Sequence, residues 1–279
     1  MKQIKKYGFL FLFLLGSMYI TNLLFIEVRK EDPIMKQIDK NQTKYEIKPV
    51  NAIIQEDIII PGIVGQTIDK EKSYHKMKQY GTYNEAMTVL KEIKPDISID
   101  SYYDKYIEKG NNTKRRMALI FPIQEEKELS TILPILEKKE VVGTIFIDGN
   151  IIDHSISLIK KYKDNEYELL SFQNEYNPSY LKTAESYLES ITKKKTKYCY
   201  TEKENKELLD YCSKNKHHTI KPKYRFKEDL TYQIKNTLEN GVIYSIIMSD
   251  DNKNEVGILI DRIKERGYQV ETLDQLLTE

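Results

Sequence analysis

Residues Met117–Asn150 read MALIFPIQEEKELSTILPILEKKEVVGTIFIDGN, and this stretch decides the fold. Two short apolar runs, Ala118–Ile123 and Val141–Ile147, flank a segment in which Leu129, Ile132, Leu133 and Leu136 share one helical face. Runs of that length suit strands, and the 3–4 spacing between them suits an amphipathic helix. Strand, helix and strand in that order predict a parallel pair joined by a right-handed crossover.

The unit recurs to the C-terminus. Ile152, Ile156 and Ile159 mark a helix, and Tyr167–Phe172 a strand. Asn177-Pro178 opens the next helix, with Asn as cap and Pro in the first turn, where its missing N–H costs nothing. Leu181, Ala184, Leu188 and Ile191 form its buried stripe, and Lys197–Tyr200 is a strand. Thr201 and Glu204 have capping-box spacing ahead of a helix that turns Leu208, Leu209 and Cys212 inward. His218–Ile220 is a short strand stopped by Pro222. Leu230, Ile234 and Leu238 mark a helix that Asn240-Gly241 is expected to cap. Val242–Met248 is the most apolar strand, and Val256, Leu259, Ile260 and Ile263 line a helix closed by Gly267. Tyr268–Glu271 and a short helix capped by Thr272 and Gln275 finish the chain. About seven strands alternating with helices predict a parallel sheet, open or closed into a barrel. A site would lie at the C-terminal ends of the strands in either case.

Toward the N-terminus the pattern changes. Asp104–Arg116 is polar and contains Gly110-Asn111-Asn112, a turn signal, so the main domain is set at 116–279. Residues 47–115, rich in tyrosine and aliphatic side chains, are expected to form an accessory region packed on it, and 27–46 a juxtamembrane stalk. Tyr7–Ile26 is an uncharged run of 20 residues, enough at 1.5 Å per residue for ~30 Å of hydrocarbon. Lys2, Lys5 and Lys6 precede it, leaving residues 1–6 as a cytoplasmic stub and the bulk of the chain outside. No small-x-small site closes the run, so the expectation is an uncleaved single-pass signal anchor in the cell membrane.

The 279 residues carry a net charge of +1, so no strong field favours nucleic acid. Cys199 and Cys212 show no disulfide framework and no metal spacing. Placed at opposite ends of a βα unit, they are expected to be two separate buried hydrophobes. His75 is isolated, and His217-His218 reads as the surface lead-in to a strand. The run Lys193-Lys194-Lys195 reads as a solvated helix end, where cations also suit the dipole.

From Arg116 onward the chain resembles the polysaccharide deacetylases with the NodB homology domain. VVGTIFIDGN at Val141–Asn150 is similar to that family's "ATFFVTGN". YELLS at Tyr167–Ser171 stands where the family has "HEIGN", and GVIYSIIMSDD with IDRIKERGYQVETLDQLL is similar to its closing elements. The resemblance implies an α/β fold, a distorted (β/α)7 barrel. It also implies where catalysis would sit, and there the sequence departs. The family's "TFDDG" supplies a base and a metal ligand, whereas IFPIQ puts Pro122 and Ile123 at those positions. The histidines of its "HxxxH" are replaced by Phe172 and Tyr176. YCYTE stands for "RPPYG" without the arginine, and no histidine occurs at Ile247–Ser249, where the family's general acid falls. Proline and the apolar side chains neither accept a proton nor bind a cation. The divalent metal of the family is therefore expected to be absent, with no cofactor in its place and the four elements of metal-assisted hydrolysis missing.

Polar residues near the predicted strand ends are Gln124, Glu125, Glu126, Asp148, Asn150, Gln173, Asn174, Tyr200, Asp250 and Asp251. Of these, Gln124, Asp148, Asn150, Asn174, Tyr200 and Asp250 are the candidates for ligand binding, and Asp148 with Asp250 the candidate acid–base pair. Asp148-Gly149-Asn150 also reads simply as a turn with a helix cap. The expected function is a membrane-anchored, extracytoplasmic deacetylase-like module without catalysis, binding cell-wall polysaccharide or scaffolding the envelope. The alternatives are a carbohydrate hydrolase with a rebuilt site and a protein–protein module built on Ile47–Ile99.

Overall fold

In a computed structural model, the described residues are 28–170 and 178–278, with Gly16, Ser17 and Tyr19. Most of the expected anchor, Phe172, Gln173, Asn174 and Tyr176 lie outside them. Among the described residues, no helix is long and apolar enough to cross a membrane. The chain divides into two compact units, Met1–Pro49 with Val64–Ile93, and Val50–Ile63 with Lys94–Glu279. The segment 47–115 is thus shared between them.

The smaller unit contains α1 (Pro33–Tyr45) and α2 (Lys70–Tyr80). Its hairpin pairs β3 (Gly65–Ile68) with β4 (Leu90–Ile93). Asp32 caps α1 by accepting the Ile34 N–H at 2.9 Å, and it also takes bonds from the Tyr74 hydroxyl and the Lys78 ammonium. Ile34, Met35, Ile38, Ile68, Tyr74 and Met77 form the unit's own small core.

The larger unit is built on parallel strands. They are β6 (Arg116–Ile123), β7 (Thr144–Ile147), β8 (Glu166–Leu169), β9 (Tyr198–Tyr200), β10 (His218–Ile220), β11 (Tyr224–Phe226) and β12 (Ile243–Ile246). One sheet runs β11-β12-β6-β7-β8, with β13 (Gln269–Glu271) added beside the start of β6. In the other, β10 pairs with β9 and with β5 (Tyr106–Ile107), which continues to β2 (Ile58–Ile60) and β1 (Ile53–Gln55). The chain therefore passes through seven parallel strands, and the β12–β6 pairing joins the last of them to the first. Ladder bonds are missing between β8 and β9 and between β10 and β11. Across the first gap the buried Glu168 carboxylate accepts the backbone N–H groups of Lys197 at 2.8 Å and Tyr198 at 3.1 Å. A side chain there meets the main-chain donors that a neighbouring strand would otherwise satisfy.

The alternation of β6 defines two cores. Met117, Leu119, Phe121 and Ile123 pack outward under the helices, with Leu129, Ile132, Leu133 and Leu136 of α3 (Glu126–Lys138) and Val256, Leu259, Ile260 and Ile263 of α8 (Lys253–Glu265). Ala118 and Ile120 point inward, with Phe146, Leu170, Tyr198, Tyr200, Ile220 and Ile243. Four further helices, α4 (Ile152–Lys161), α5 (Pro178–Thr192), α6 (Lys206–Lys214) and α7 (Leu230–Thr237), complete the outer layer, and α9 (Leu273–Leu277) closes the inner core from below with Leu273, Leu276 and Leu277.

Several local expectations change. Cys199 and Cys212 form a disulfide with their Cα atoms 6.4 Å apart. The helix α6 is short and runs back along β9, so its last full turn, which carries Cys212, returns beside the middle of the strand. The cap of α6 is Asn205, whose side chain accepts the Leu208 N–H, rather than the Thr201–Glu204 box. At the other end the Thr272–Gln275 box is formed as expected. Gly241 takes a positive φ of 76°, but in the turn into β12 rather than as the cap of α7, which ends at Thr237. His218 is a buried residue of β10 rather than a surface lead-in, stacked on Tyr103 with ring centroids 4.4 Å apart.

The disulfide spans a sequence separation of 13. Loop-closure entropy for a ring of that size gives about 3 kcal/mol. Cys212→Ala, or reduction of the native protein, should therefore lower the urea-unfolding free energy by ~2–4 kcal/mol. A reductant-insensitive midpoint in the native protein would contradict the bridge.

Candidate functional site

The C-terminal ends of the parallel strands place Gln124, Asp148, Thr201 and Ile247 just beyond β6, β7, β9 and β12. This is the face on which open and closed α/β sheets carry their sites.

Pro122 and Ile123 end β6, paired in register with Phe146 and Ile147 of β7. The Ile123 carbonyl accepts the Asp148 N–H at 2.9 Å, so its polar groups face β7. Those of Pro122 face the other way, toward β12, where the registered ladder has already ended at Ser245↔Ile120. The proline thus lacks an N–H at a position where no partner strand asks for one. The two side chains point to opposite faces. Pro122 follows Ala118 and Ile120 to the inside, whereas Ile123 packs outward with the helix core. Ile123 therefore does not share the inner face with Pro122.

Below Pro122 the interior is filled. Phe146 packs against Tyr200, with ring centroids 5.4 Å apart. The Tyr200 hydroxyl and Ser245 Oγ are hydrogen-bonded at 3.0 Å, joining β9 to β12 across the interior. Burial pushes the Tyr200 phenol up to about 12. Tyr200 is thus a buried core hydroxyl with a partner, not a group presented to a ligand.

The remaining candidates separate into two groups. Asp148 is 5% exposed and accepts the Asn150 N–H at 2.8 Å, and the Tyr180 hydroxyl donates to Asn150 Oδ1 at 3.0 Å. Tyr180 from α5 lies so close over Gly149 that any Cβ there would collide with its hydroxyl. The capped-turn reading of Asp148-Gly149-Asn150 holds, and Tyr180 is a neighbour that the sequence did not single out. Asp250 is exposed and paired with Lys127 at 2.7 Å and Lys253 at 3.7 Å. The Lys127 hydrogen bond holds its carboxyl below the usual value. Among the described residues the two aspartates share no hydrogen-bond or ion-pair partner. Gln124 is exposed, and its N–H is taken by the Glu128 side chain, which also completes the capping box of α3. A cavity of about 110 Å³ lies beside Asp250, between Glu125, Thr131 and Met248. Among the described residues, no group of three or more His, Cys, Asp or Glu side chains could hold a metal ion.

No protein-family model matches the chain. It is 27% identical over 273 residues to the uncharacterized protein YlxY of Bacillus subtilis, with 89% of this chain and 85% of that one covered. Solved structures of the CE4 family give the fold. Wild-type BA3943 of Bacillus anthracis, described as a CE4 family pseudoenzyme, aligns with a TM-score of 0.66 and 22% identity over 89% of this chain and 96% of that one. A BA3943 mutant described as having restored enzymatic activity aligns equally well, over 99% of its chain. PdaA of Bacillus subtilis, a family 4 carbohydrate esterase, aligns at 0.55 and 17% identity over 82% of this chain and 97% of that one. The chain thus shares the fold of these CE4 family structures.

Asp148 offers a direct test of this geometry. Burial raises its carboxyl above the ordinary 3.8, against the pull of the Asn150 N–H. A carboxyl with a raised folded-state pKa contributes stability that is fully present below the unfolded value and is lost as pH rises through the folded one. Asp148→Asn keeps an oxygen for the Asn150 N–H and removes that loss. Urea unfolding should find the two proteins alike near about pH 3 and the variant the more stable near pH 7. A wild type equal to or more stable than the variant near neutrality would overturn the assignment.

Proposed function

We propose that this protein is a membrane-anchored, extracytoplasmic deacetylase-like module that binds envelope polysaccharide without hydrolysing it. The observation that carries the reading is Pro122. It is buried at the end of the central strand, registered with Phe146, where the resemblance places the acid that drives the family's chemistry. A proline there offers neither a base nor a metal ligand. The fold-level likeness to a protein described as a CE4 pseudoenzyme supports the same reading. The Cys199–Cys212 bridge supports the compartment, since structural disulfides persist in oxidising surroundings. The uncharged run Tyr7–Ile26 after three lysines supports the anchor. With no divalent metal, cofactor or nucleic acid in this reading, the partners are the membrane and a cell-wall glycan.

Asp148 favours a second reading, a hydrolase with a rebuilt site. A buried carboxyl with a raised pKa next to the Tyr180 hydroxyl is the kind of group that serves as a general acid.

Two measurements on the chain from Val28 onward decide between them. Calorimetric titration with zinc or cobalt should give no stoichiometric micromolar binding. Co-sedimentation with insoluble cell-wall polysaccharide should retain the protein, with no acetate released from acetylated glycan with or without metal. Acetate release that disappears in Asp148→Asn establishes the hydrolase instead, and failure to sediment with any wall polysaccharide removes the glycan.

A further inference from the structure

A large cleft of the larger unit lies at the end of the strands opposite the candidate site. It has a volume of about 590 Å³, within the usual ~300–1,000 Å³ of small-molecule sites. Glu166 opens β8 and Lys197 immediately precedes β9, so its floor is at the strands' N-terminal ends. Its walls are the C-terminal ends of α4 and α5 and the start of α9.

Six lysines line it: Lys160, Lys163, Lys193, Lys194, Lys195 and Lys197. Only Lys197 has an ion-pair partner among the described residues, the Asp274 carboxylate. The other five are exposed and unpaired. Three carboxyls stand against them besides Asp274. Asp164 is exposed, and Glu166 and Glu168 form the floor. Glu168 is occupied by two main-chain N–H groups, and Glu166 by the Thr144 hydroxyl at 2.6 Å and the Asp274 N–H at 3.3 Å. Burial raises both carboxyls above their ordinary value. A cation at each helix end complements its dipole. That accounts for one lysine per helix and not for five unpaired ammoniums around one cleft.

We propose that this cleft binds a soluble polyanion carrying several phosphate groups in series. Ammonium groups on flexible stems suit phosphates, which they meet as point charges without a fixed fork. A single phosphate carries at most two charges and would leave most of the five lysines unanswered, so a chain of phosphates fits the charge count. The unpaired lysines are exposed, so contact with such a ligand is screened by salt. The site is separate from the glycan reading and stands or falls independently of it.

The test uses the full-length chain in a non-ionic detergent, at low ionic strength. A glycerol phosphate hexamer is the polymer probe and glycerophosphoglycerol is the probe for a lipid headgroup. A poly-glutamate of equal charge tests for phosphate. The hexamer should bind at least tenfold more tightly than either, and should weaken as salt is raised. Lys193→Glu, Lys194→Glu and Lys195→Glu together should weaken it at least tenfold. The same charge change at the exposed Lys203, Lys206 and Lys214 should alter affinity less than twofold. Lys→Gln at 193, 194 and 195 repeats the test without charge reversal, should the triple glutamate lose its fold by circular dichroism. No hexamer binding, equal losses in both triple variants, or poly-glutamate bound as tightly as the hexamer overturns the proposal. Glycerophosphoglycerol bound as tightly as the hexamer replaces the polymer with a headgroup and overturns it as well.

Discussion

Burial of β6 on both faces is the constraint from which the rest of the larger unit follows. Every residue from Met117 to Ile123 is buried. A strand with apolar side chains on both faces needs a layer on each side. The odd positions take helices α3 and α8, and the even positions take the strands across the interior. Its main chain is as heavily used as its side chains. β12 flanks it on one edge, and β13 and then β7 on the other. This strand can end only where both edges run out, and the residue that ends its inner face is Pro122.

That placement decides what the end of the strand can carry. The inner face of the strand's end is where a metal and its ligands would need polar lining. Here the neighbours below are the Phe146 and Tyr200 rings, and the Tyr200–Ser245 hydrogen bond is an internally satisfied polar pair. A buried hydroxyl pair that satisfies itself is stable without a ligand, whereas unpaired carboxylates in the same volume would carry a large desolvation cost. Asp250, an exposed acid of this face, is held by lysines instead.

Much of the fold was legible because periodicity reports burial. The strand–helix–strand of Met117–Asn150 and the stripes of α3, α5 and α8 stand where the spacing put them. Two short strands escaped detection. Tyr106–Ile107 and Tyr224–Phe226 have too few residues to show a period, and only their pairing with β10 and β12 makes them strands. The disulfide was illegible for a related reason. Sequence places Cys199 in a strand and Cys212 in the next helix, but only the return angle of α6 brings them within 6.4 Å. The same holds for the site. Position along the chain located Pro122 and Asp148 at strand ends, but could not show that Ile123 faces outward, that Tyr200 is spent inside, or that Tyr180 covers Gly149.

Glu168 is the feature on which sequence and fold most disagree, and the disagreement has a physical answer. A carboxylate at an inward position of a barrel strand looks like an error of patterning, since burial raises its pKa and the neighbouring Glu166 adds to the rise. Yet β8 and β9 do not share a ladder, and the first two N–H groups on that edge of β9 would be orphaned without it. Two orphaned donors cost roughly 1–3 kcal/mol each, and one buried carboxylate serves both. An apolar residue at 168 would remove the charge but leave the seam open. The seam between β8 and β9 is therefore bridged by a side chain rather than by main-chain pairing.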